Sequence, residues 1–387
     1  MNANPLVKLN ALGQSVWFDN IERSLILRGE LKRMIEEDAL GGVTSNPAIF
    51  EKAISGSDDY TDQLRELAEQ NKTAIEIYES LAVRDIQMAA DTLASVYEKT
   101  EGADGFVSLE CSPLLARDTQ ATIEEARRLW QWLDRPNVMI KIPGTEEGMP
   151  AIEQCICEGI NINITLLFSL ASYDATIEAY IRGLERRASE GKAVDRIASV
   201  ASFFVSRIDT ALDKKLEEMI AQSNDEAERA RLGSLMGRIA IANARMAYQR
   251  FKEVFHGSRF LALQERGARV QRPLWASTST KNPVYRDVYY VESLIAPQTV
   301  DTIPPQTLAA FRDHGEARIS IEDDLDEDRA LLKRLEDVGI SLDEVTQKVL
   351  DDGVRLFVEP FEKLLGAIEA RRSDVLARPT STGAATD

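Results

Sequence analysis

Apolar and polar residues run along this chain in two rhythms. Short β-rich runs, SVWFD (15–19), GGVTSN (41–46), GFVSLE (105–110), VMIKIP (138–143), INITLLF (162–168), IASVASFF (197–204), PLWAST (273–278) and TVDTIP (299–304), alternate with longer stretches of helical spacing. In RDTQATIEEARRLWQWL (117–133), Ile123, Ala126, Trp130 and Leu133 share one face, Asp118 or Thr119 is placed to cap the start, and Arg135-Pro136 marks the stop. Residues 60–98 read as two long helices and 21–37 as a short one. LLFSLASYDATIEAYIRGLERR and DEAERARLGSLMGRIAIANARMAYQRFKEVF repeat the spacing with charged outer faces. Eight strand-helix units predict an α/β fold, a (β/α)8 TIM barrel from 15 to roughly 312. An open doubly wound sheet is the alternative, but no GxGxxG or GxxxxGK(S/T) phosphate loop occurs.

Beyond residue 315 the chain turns acidic and helical, with two or three helices expected and Ser341 and Glu344 in capping-box spacing. The stretch SDVLARPTSTGAATD is small and polar and reads as a frayed tail. The expected organisation is a barrel over 1–315, a C-terminal helical extension packed on it over 316–372, and a flexible tail over 373–387.

Composition narrows the chemistry. A formal net charge of −18 argues against nucleic-acid binding, which needs a basic surface, but leaves room for a local basic pocket. The three cysteines, Cys111, Cys155 and Cys157, form no CxxC pair and suggest neither a disulfide framework nor a zinc site. The two histidines, His256 and His314, have no metal-binding spacing, which disfavours histidine-based metal and triad chemistry. No apolar stretch is long enough for a membrane span, and the N-terminus lacks a signal-peptide core, so a cytoplasmic location is expected.

In a barrel enzyme the site lies at the C-terminal ends of the strands, where this sequence places Asp19, Asn46, Glu110, Lys141, Thr165, Ser202 and Ser277. Lys141 interrupts VMIKIP, and period-2 alternation sends it to the same face as Met139. In a desolvated mouth the charged form of an amine is disfavoured, and the neutral form attacks carbonyls to form a Schiff base. Its alternative is a structural ion pair with Glu110, or a rim position. Glu110, at the end of the preceding strand, is placed to manage protons or hold a water. Thr165 could orient that water, though threonine also suits any strand. Asn163 shares its face. Asp19 is either an acid/base group or a helix cap. Asn46 could bind a polyol or start a turn. Arg207, Lys281 and Ser277 lie past neighbouring strands in the region where barrels often bind phosphate.

Together SVWFDNIERSLI, GGVTSNPAIFEKAI, FVSLECSP, VMIKIPGTEEG, GININITLLFS, ASFFVSRID and RPLWASTSTKNP resemble the transaldolases, in particular their longer bacterial branch, across nearly the whole chain. The resemblance implies a (β/α)8 enzyme of the class I aldolase type that needs no cofactor and no metal. The implied reaction moves a dihydroxyacetone unit from sedoheptulose 7-phosphate to glyceraldehyde 3-phosphate in the pentose phosphate pathway. Carried over by motif, Lys141 would form the Schiff base, Asp19 would serve the cleaved bond, and Glu110 and Thr165 would hold the catalytic water. Asn46, Asn163 and Ser202 would bind the dihydroxyacetone unit, Phe204 would shape its pocket, and Arg207, Ser277 and Lys281 would bind phosphate. The familiar branch has Ser-x-Arg at strand seven, where this chain has Ser277-Thr278-Ser279-Thr280-Lys281, with Arg272 and Arg286 nearby as substitutes. The competing readings are an aldolase that cleaves fructose 6-phosphate without transfer, and a barrel that only binds sugar phosphates or a protein. The expected partners are small sugar phosphates, with no nucleic acid and no membrane, and the oligomeric state is open between a monomer and a homodimer.

Overall fold

The computed structural model describes residues 4–377. All eight apolar runs form strands: β1 (Gln14–Phe18), β2 (Leu40–Thr44), β3 (Phe106–Glu110), β4 (Val138–Pro143), β5 (Ile162–Leu167), β6 (Ser199–Phe204), β7 (Arg272–Ala276) and β8 (Thr299–Ile303). They pair in sequence order as a closed parallel barrel, and β8 returns to β1 with Gln14 opposite Thr299 and Phe18 opposite Ile303. Helices on the outside cover strands that are buried on both faces, as in parallel sheets generally.

Register decides which side chains meet inside. Glu110 lies opposite Lys141, and Lys141 opposite Asn163, so alternation turns this row inward together. Met139, two residues before Lys141, lines a cavity at the N-terminal end of the barrel with Phe106, Val200 and Arg272, while Lys141 lines the opening at the other end. Gly42 sits in the inward row of β2, opposite Trp17, and a Cβ there would fall 2.6 Å from the indole ring and 2.7 Å from the Phe106 carbonyl oxygen. Glycine is what lets the large ring fill the barrel floor.

The floor is tied by Asp104. It accepts from Ser15 Oγ at 2.5 Å, Trp17 Nε1 at 2.8 Å and Arg272 Nη2 at 3.3 Å, while Arg272 Nη1 donates to Ser15 Oγ at 2.6 Å. Arg272 therefore stands at the end of the barrel away from the mouth, which removes it as a substitute for Lys281.

Two stretches differ from the helical pattern. The segment 225–255 is broken into Glu226–Gly233 and Ile239–Phe255 by a turn in which Gly237 has φ +67°. The break is bound by buried carboxylates: Asp213 accepts from Gly237 N at 2.9 Å, and Asp209 from Ala240 N at 2.8 Å. A first helix, Pro5–Ala11, also precedes β1, with Asn4 accepting from Leu6 N and proline in its first turn.

The region beyond 315 forms the helices Leu325–Asp337 and Leu342–Ala377. Ser341 Oγ accepts from Glu344 N at 3.2 Å, one limb of the expected box. The last helix runs past 372 to Ala377, into the segment read as a tail; its remainder, 378–387, lies outside the described residues. This C-terminal helix packs on the helices Pro47–Gly56, Ala74–Lys99 and Ser206–Gln222. Phe361 meets Tyr78 edge-on at 5.4 Å, Lys363 pairs with Glu51 at 2.7 Å, and Arg371 donates to the Ile54 carbonyl at 3.0 Å. Among the described residues no helix is long and apolar enough to cross a membrane.

Replacing Asp104 by alanine would strand the Arg272 cation and two donors in the floor, a loss of about 3–5 kcal/mol. Urea unfolding should show it as a lower midpoint, and an unchanged midpoint would mean that water replaces the carboxylate without cost.

Candidate active site

The strand ends converge on a cavity of about 180 Å³ that opens to solvent. Its wall comprises Asp19, Thr44, Asn46, Lys141, Thr165, Ser202, Phe204, Arg207, Ala276, Ser277, Ser279, Lys281, Thr302, Pro304 and Phe357. Of the residues expected here, Glu110 and Asn163 are absent from that wall, and both stand directly beside Lys141 in the sheet.

Lys141 is 5% exposed and directed by two contacts. Its Nζ donates to the Ser45 carbonyl at 2.8 Å and lies 3.5 Å from Glu110 Oε2, an ion-pair distance too long for a good hydrogen bond. The pairing expected of a structural lysine is thus present, and the same amine lines the cavity. Burial pushes the Glu110 carboxyl up to about 7, against the pull of Lys141. A carboxyl at that value both gives and takes protons near neutrality. Among the described residues neither Glu110 Oε2 nor the hydroxyl of Thr165 has a hydrogen-bond partner, although both are buried.

Asp19 does not cap a helix. The following helix, Arg23–Leu27, is preceded by Glu22 and has no side-chain cap, whereas Asp19 Oδ1 accepts from Thr44 Oγ1 at 2.7 Å. Burial raises its carboxyl above the ordinary range, opposed by the Thr44 bond and then by Lys141, Arg207 and Lys281. Asn46 does act as a cap: its Oδ1 accepts from Ile49 N at 3.0 Å, which leaves the amide nitrogen as its other polar group at the cavity. Asn163 is fully buried, donating to Ser108 Oγ at 3.1 Å and accepting from Ser202 Oγ at 2.7 Å. In this arrangement it sets the Ser202 hydroxyl, which is on the wall.

The cationic side is built by β6 and β7. Arg207 stacks over Phe204 at 5.2 Å and lies 5.9 Å from the ring of Phe357; its Nη1 is buried with no partner among the described residues. Burial lowers the Arg207 pKa below its ordinary range, and partial desolvation with the neighbouring Arg207 cation lowers that of Lys281, whose side chain stays exposed at the rim. Lys281 Nζ donates to Ser279 Oγ at 2.7 Å, so the longer loop brings the cation back to the cavity. Ser277 takes φ +58°, a left-handed conformation that turns the chain there, and its hydroxyl meets Ser206 Oγ at 2.9 Å. Arg286 instead pairs with Glu292 at 3.0 Å and is exposed.

Six wall residues carried no mark in the sequence: Thr44, Ala276, Ser279, Thr302, Pro304 and Phe357. Thr44 and Thr302 are ordinary strand threonines by composition, Ser279 is one of a run of hydroxyls, and Phe357 arrives from the C-terminal helix. Period-2 counting from Asn46 and Pro304 would have placed both threonines on the inward face. Nothing local distinguishes Phe357, whose ring lies 5.8 Å from Lys141 Nζ. Among the described residues no group of three His, Cys, Asp or Glu is placed to hold a metal ion.

An amine kept out of water beside a carboxyl poised near neutrality, at the catalytic end of a parallel barrel, is the equipment of an enzyme that works on carbonyl compounds through an imine. Comparison with known proteins narrows the class. The family model described as Transaldolase/Fructose-6-phosphate aldolase matches residues 16–368, and the chain belongs to that family. It is 47% identical to the transaldolase of Trichodesmium erythraeum over 96% of this chain and 98% of that one. Similarity is as extensive to transaldolase 2 of Nostoc sp., at 48% over 96% and 98%, and to the transaldolase of Thermobifida fusca, at 46% over 94% and 97%.

Behind the cavity, burial pushes the Asp301 carboxyl up to about 8; Thr278 donates to its Oδ1 at 2.9 Å. Its folded value lies above the unfolded one, so ionisation costs stability as pH rises from about 4 to 8. Asp301→Asn should therefore gain stability over the wild type across that window. Parallel denaturant titrations at pH 4 and pH 8 test this, and an equal difference at both would refute it.

Proposed function

We propose that the protein is a transaldolase that carries a dihydroxyacetone unit from sedoheptulose 7-phosphate to glyceraldehyde 3-phosphate, through an imine on Lys141. The observation that carries this reading is Lys141 itself, buried in the barrel mouth with a carboxyl at its side and Arg207 and Lys281 across the cavity. The Lys141 amine attacks the ketose carbonyl, and Glu110, aided by the Thr165 hydroxyl, handles the water lost on dehydration. The iminium then draws the electron pair of the breaking carbon–carbon bond, while Asp19 takes the proton of the neighbouring hydroxyl. Erythrose 4-phosphate leaves. The enamine attacks the aldehyde of glyceraldehyde 3-phosphate, Asp19 returns the proton to the new hydroxyl, and hydrolysis of the iminium releases fructose 6-phosphate.

Asn46 and Ser202 bind the hydroxyls of the three-carbon unit, with Asn163 holding Ser202 and Phe204 closing the pocket beneath Arg207. Phosphate binds at Arg207, Ser277 and Lys281. Both cations line the cavity, and Arg207 Nη1 has no hydrogen-bond partner among the described residues. Lysine offers a point charge where arginine would offer a fork, so the phosphate is held by several single bonds.

In this reading the catalytic unit is 1–315 and the helices over 316–372 are an extension that completes the cavity. Phe357 supports that division, because it brings an apolar ring against Lys141 from outside the barrel. A retained enamine needs protection from stray protonation, and an apolar cover limits the water that reaches it. This, with the transaldolase relatives, favours transfer over simple cleavage of fructose 6-phosphate.

Intact mass after borohydride treatment with fructose 6-phosphate should show one dihydroxyacetone-sized adduct on the wild type and none on Lys141→Ala. An adduct on the alanine variant would move the imine elsewhere, and none on either would sink the mechanism. Phe357→Ala should retain the adduct while cleavage without acceptor rises about tenfold relative to transfer, on the order of 1.4 kcal/mol in partition. An unchanged ratio would deny Phe357 the covering role.

A further inference from the structure

Behind Asp19 two hydroxyls stand in line. Thr44 Oγ1 donates to Asp19 Oδ1 at 2.7 Å, and the oxygens of Thr44 and Thr302 are 2.5 Å apart. Both threonines are buried, at 2% and 3% exposure, and both line the cavity. They come from the two strands that flank β1, β2 on one side and β8 on the other. The three side chains thus form one short arc across adjacent strands.

Counting hydrogens fixes the direction of this arc. An ionised carboxylate only accepts, and a threonine hydroxyl has one hydrogen to give. Thr44 spends its hydrogen on Asp19. The bond between the threonines must then use the hydrogen of Thr302, which leaves Thr302 presenting lone pairs to the cavity. If Asp19 is instead protonated on Oδ1, the order reverses: Asp19 donates to Thr44, Thr44 to Thr302, and Thr302 presents its hydrogen to the cavity.

We infer that Thr44 and Thr302 form a reversible hydroxyl relay that holds Asp19 in place and couples its proton to the cavity through a second port. The inference rests on Asp19 being the acid/base group of the proposed reaction. One proton entering at Thr302 displaces the Thr302 hydrogen to Thr44 and the Thr44 hydrogen to Asp19 Oδ1. Each threonine oxygen gains one O–H bond as it loses another, Asp19 Oδ1 gains one and the carboxyl ends neutral, and no electrons are exchanged. The return trip restores the starting arrangement, as a reaction that removes a proton in one half and gives it back in the other requires. Asp19 Oδ2 stays open to substrate throughout. Thr44 and Thr302 are positioning residues, since they act through Asp19.

Other charges also face Asp19: Lys141 from β4, Arg207 after β6, Lys281 after β7, and the carboxyls of Glu110 on β3 and Asp301 on β8. Changing a threonine alters none of them. Thr44→Val keeps the shape and removes the hydrogen that favours the Asp19 anion, so the acid limb of the kcat/KM profile moves to higher pH.

The test compares Thr44→Val, Thr302→Val and the serine versions of each, by pH profile and by borohydride trapping with fructose 6-phosphate. Expected are a shift of about one pH unit and about a tenfold loss of kcat for Thr44→Val, a smaller shift in the same direction for Thr302→Val, and near-normal profiles for both serines. Trapping at Lys141 should persist in all four. A trapped, folded Thr44→Val with an unmoved acid limb overturns the relay, as does failure of serine to rescue, which would leave methyl packing as the reason for threonine. Should Thr44→Val not fold, Thr302→Val decides in the same way. Loss of trapping in the wild type would bring down the imine reading itself, and the relay with it.

Discussion

Everything at the barrel mouth depends on keeping one ammonium-bearing side chain out of water. A lone buried charge would cost several kcal/mol, and the barrel meets this by surrounding Lys141 with one carbonyl acceptor, one carboxyl and one aromatic face. The parallel register is what makes this possible, because it brings Glu110 and Asn163 level with Lys141 on neighbouring strands. The surroundings are balanced rather than saturated: the Glu110 contact is 3.5 Å, and its Oε2 has no closer protein donor. A tight, fully bonded pair would stabilise the barrel more and leave the amine less free to react.

The same balance recurs across the cavity. Arg207 and Lys281 raise the local positive charge within a chain of net charge −18, and each is held by neutral contacts, the rings of Phe204 and Phe357 for one and the Ser279 hydroxyl for the other. Two cations on one wall of a cavity make a local positive field against the negative charge of the whole chain.

Much of this was legible before the fold was known, because period-2 alternation and strand order depend on local residues. Lys141 between Ile140 and Ile142 marks an inward amine, and the positions of Asp19, Glu110, Thr165 and Ser202 at strand ends place them near it. The helix break at Gly237 was less visible, since its cause is two carboxylates, Asp209 and Asp213, from another helix. Asn46 could be read two ways, and in the fold it fills both descriptions, as a cap and as a cavity residue. Phe357 had no local sign at all. An apolar residue on an amphipathic helix looks the same whether it meets a core or a buried amine.

The way the cavity is assembled also bears on when it exists. β1 pairs with β2 on one side and finds its second partner only in β8, and the ring above Lys141 comes from the last described helix, so the wall joins residues far apart in the order of synthesis. While the chain is emerging, Lys141 and Glu110 can sit side by side on β4 and β3, but the barrel cannot close before Ile303 is made, and the cover cannot settle before Phe357 follows. Long-range closures of this kind are paid for in loop entropy and form late. A nascent chain that has not yet reached Phe357 therefore carries Lys141 without its cover.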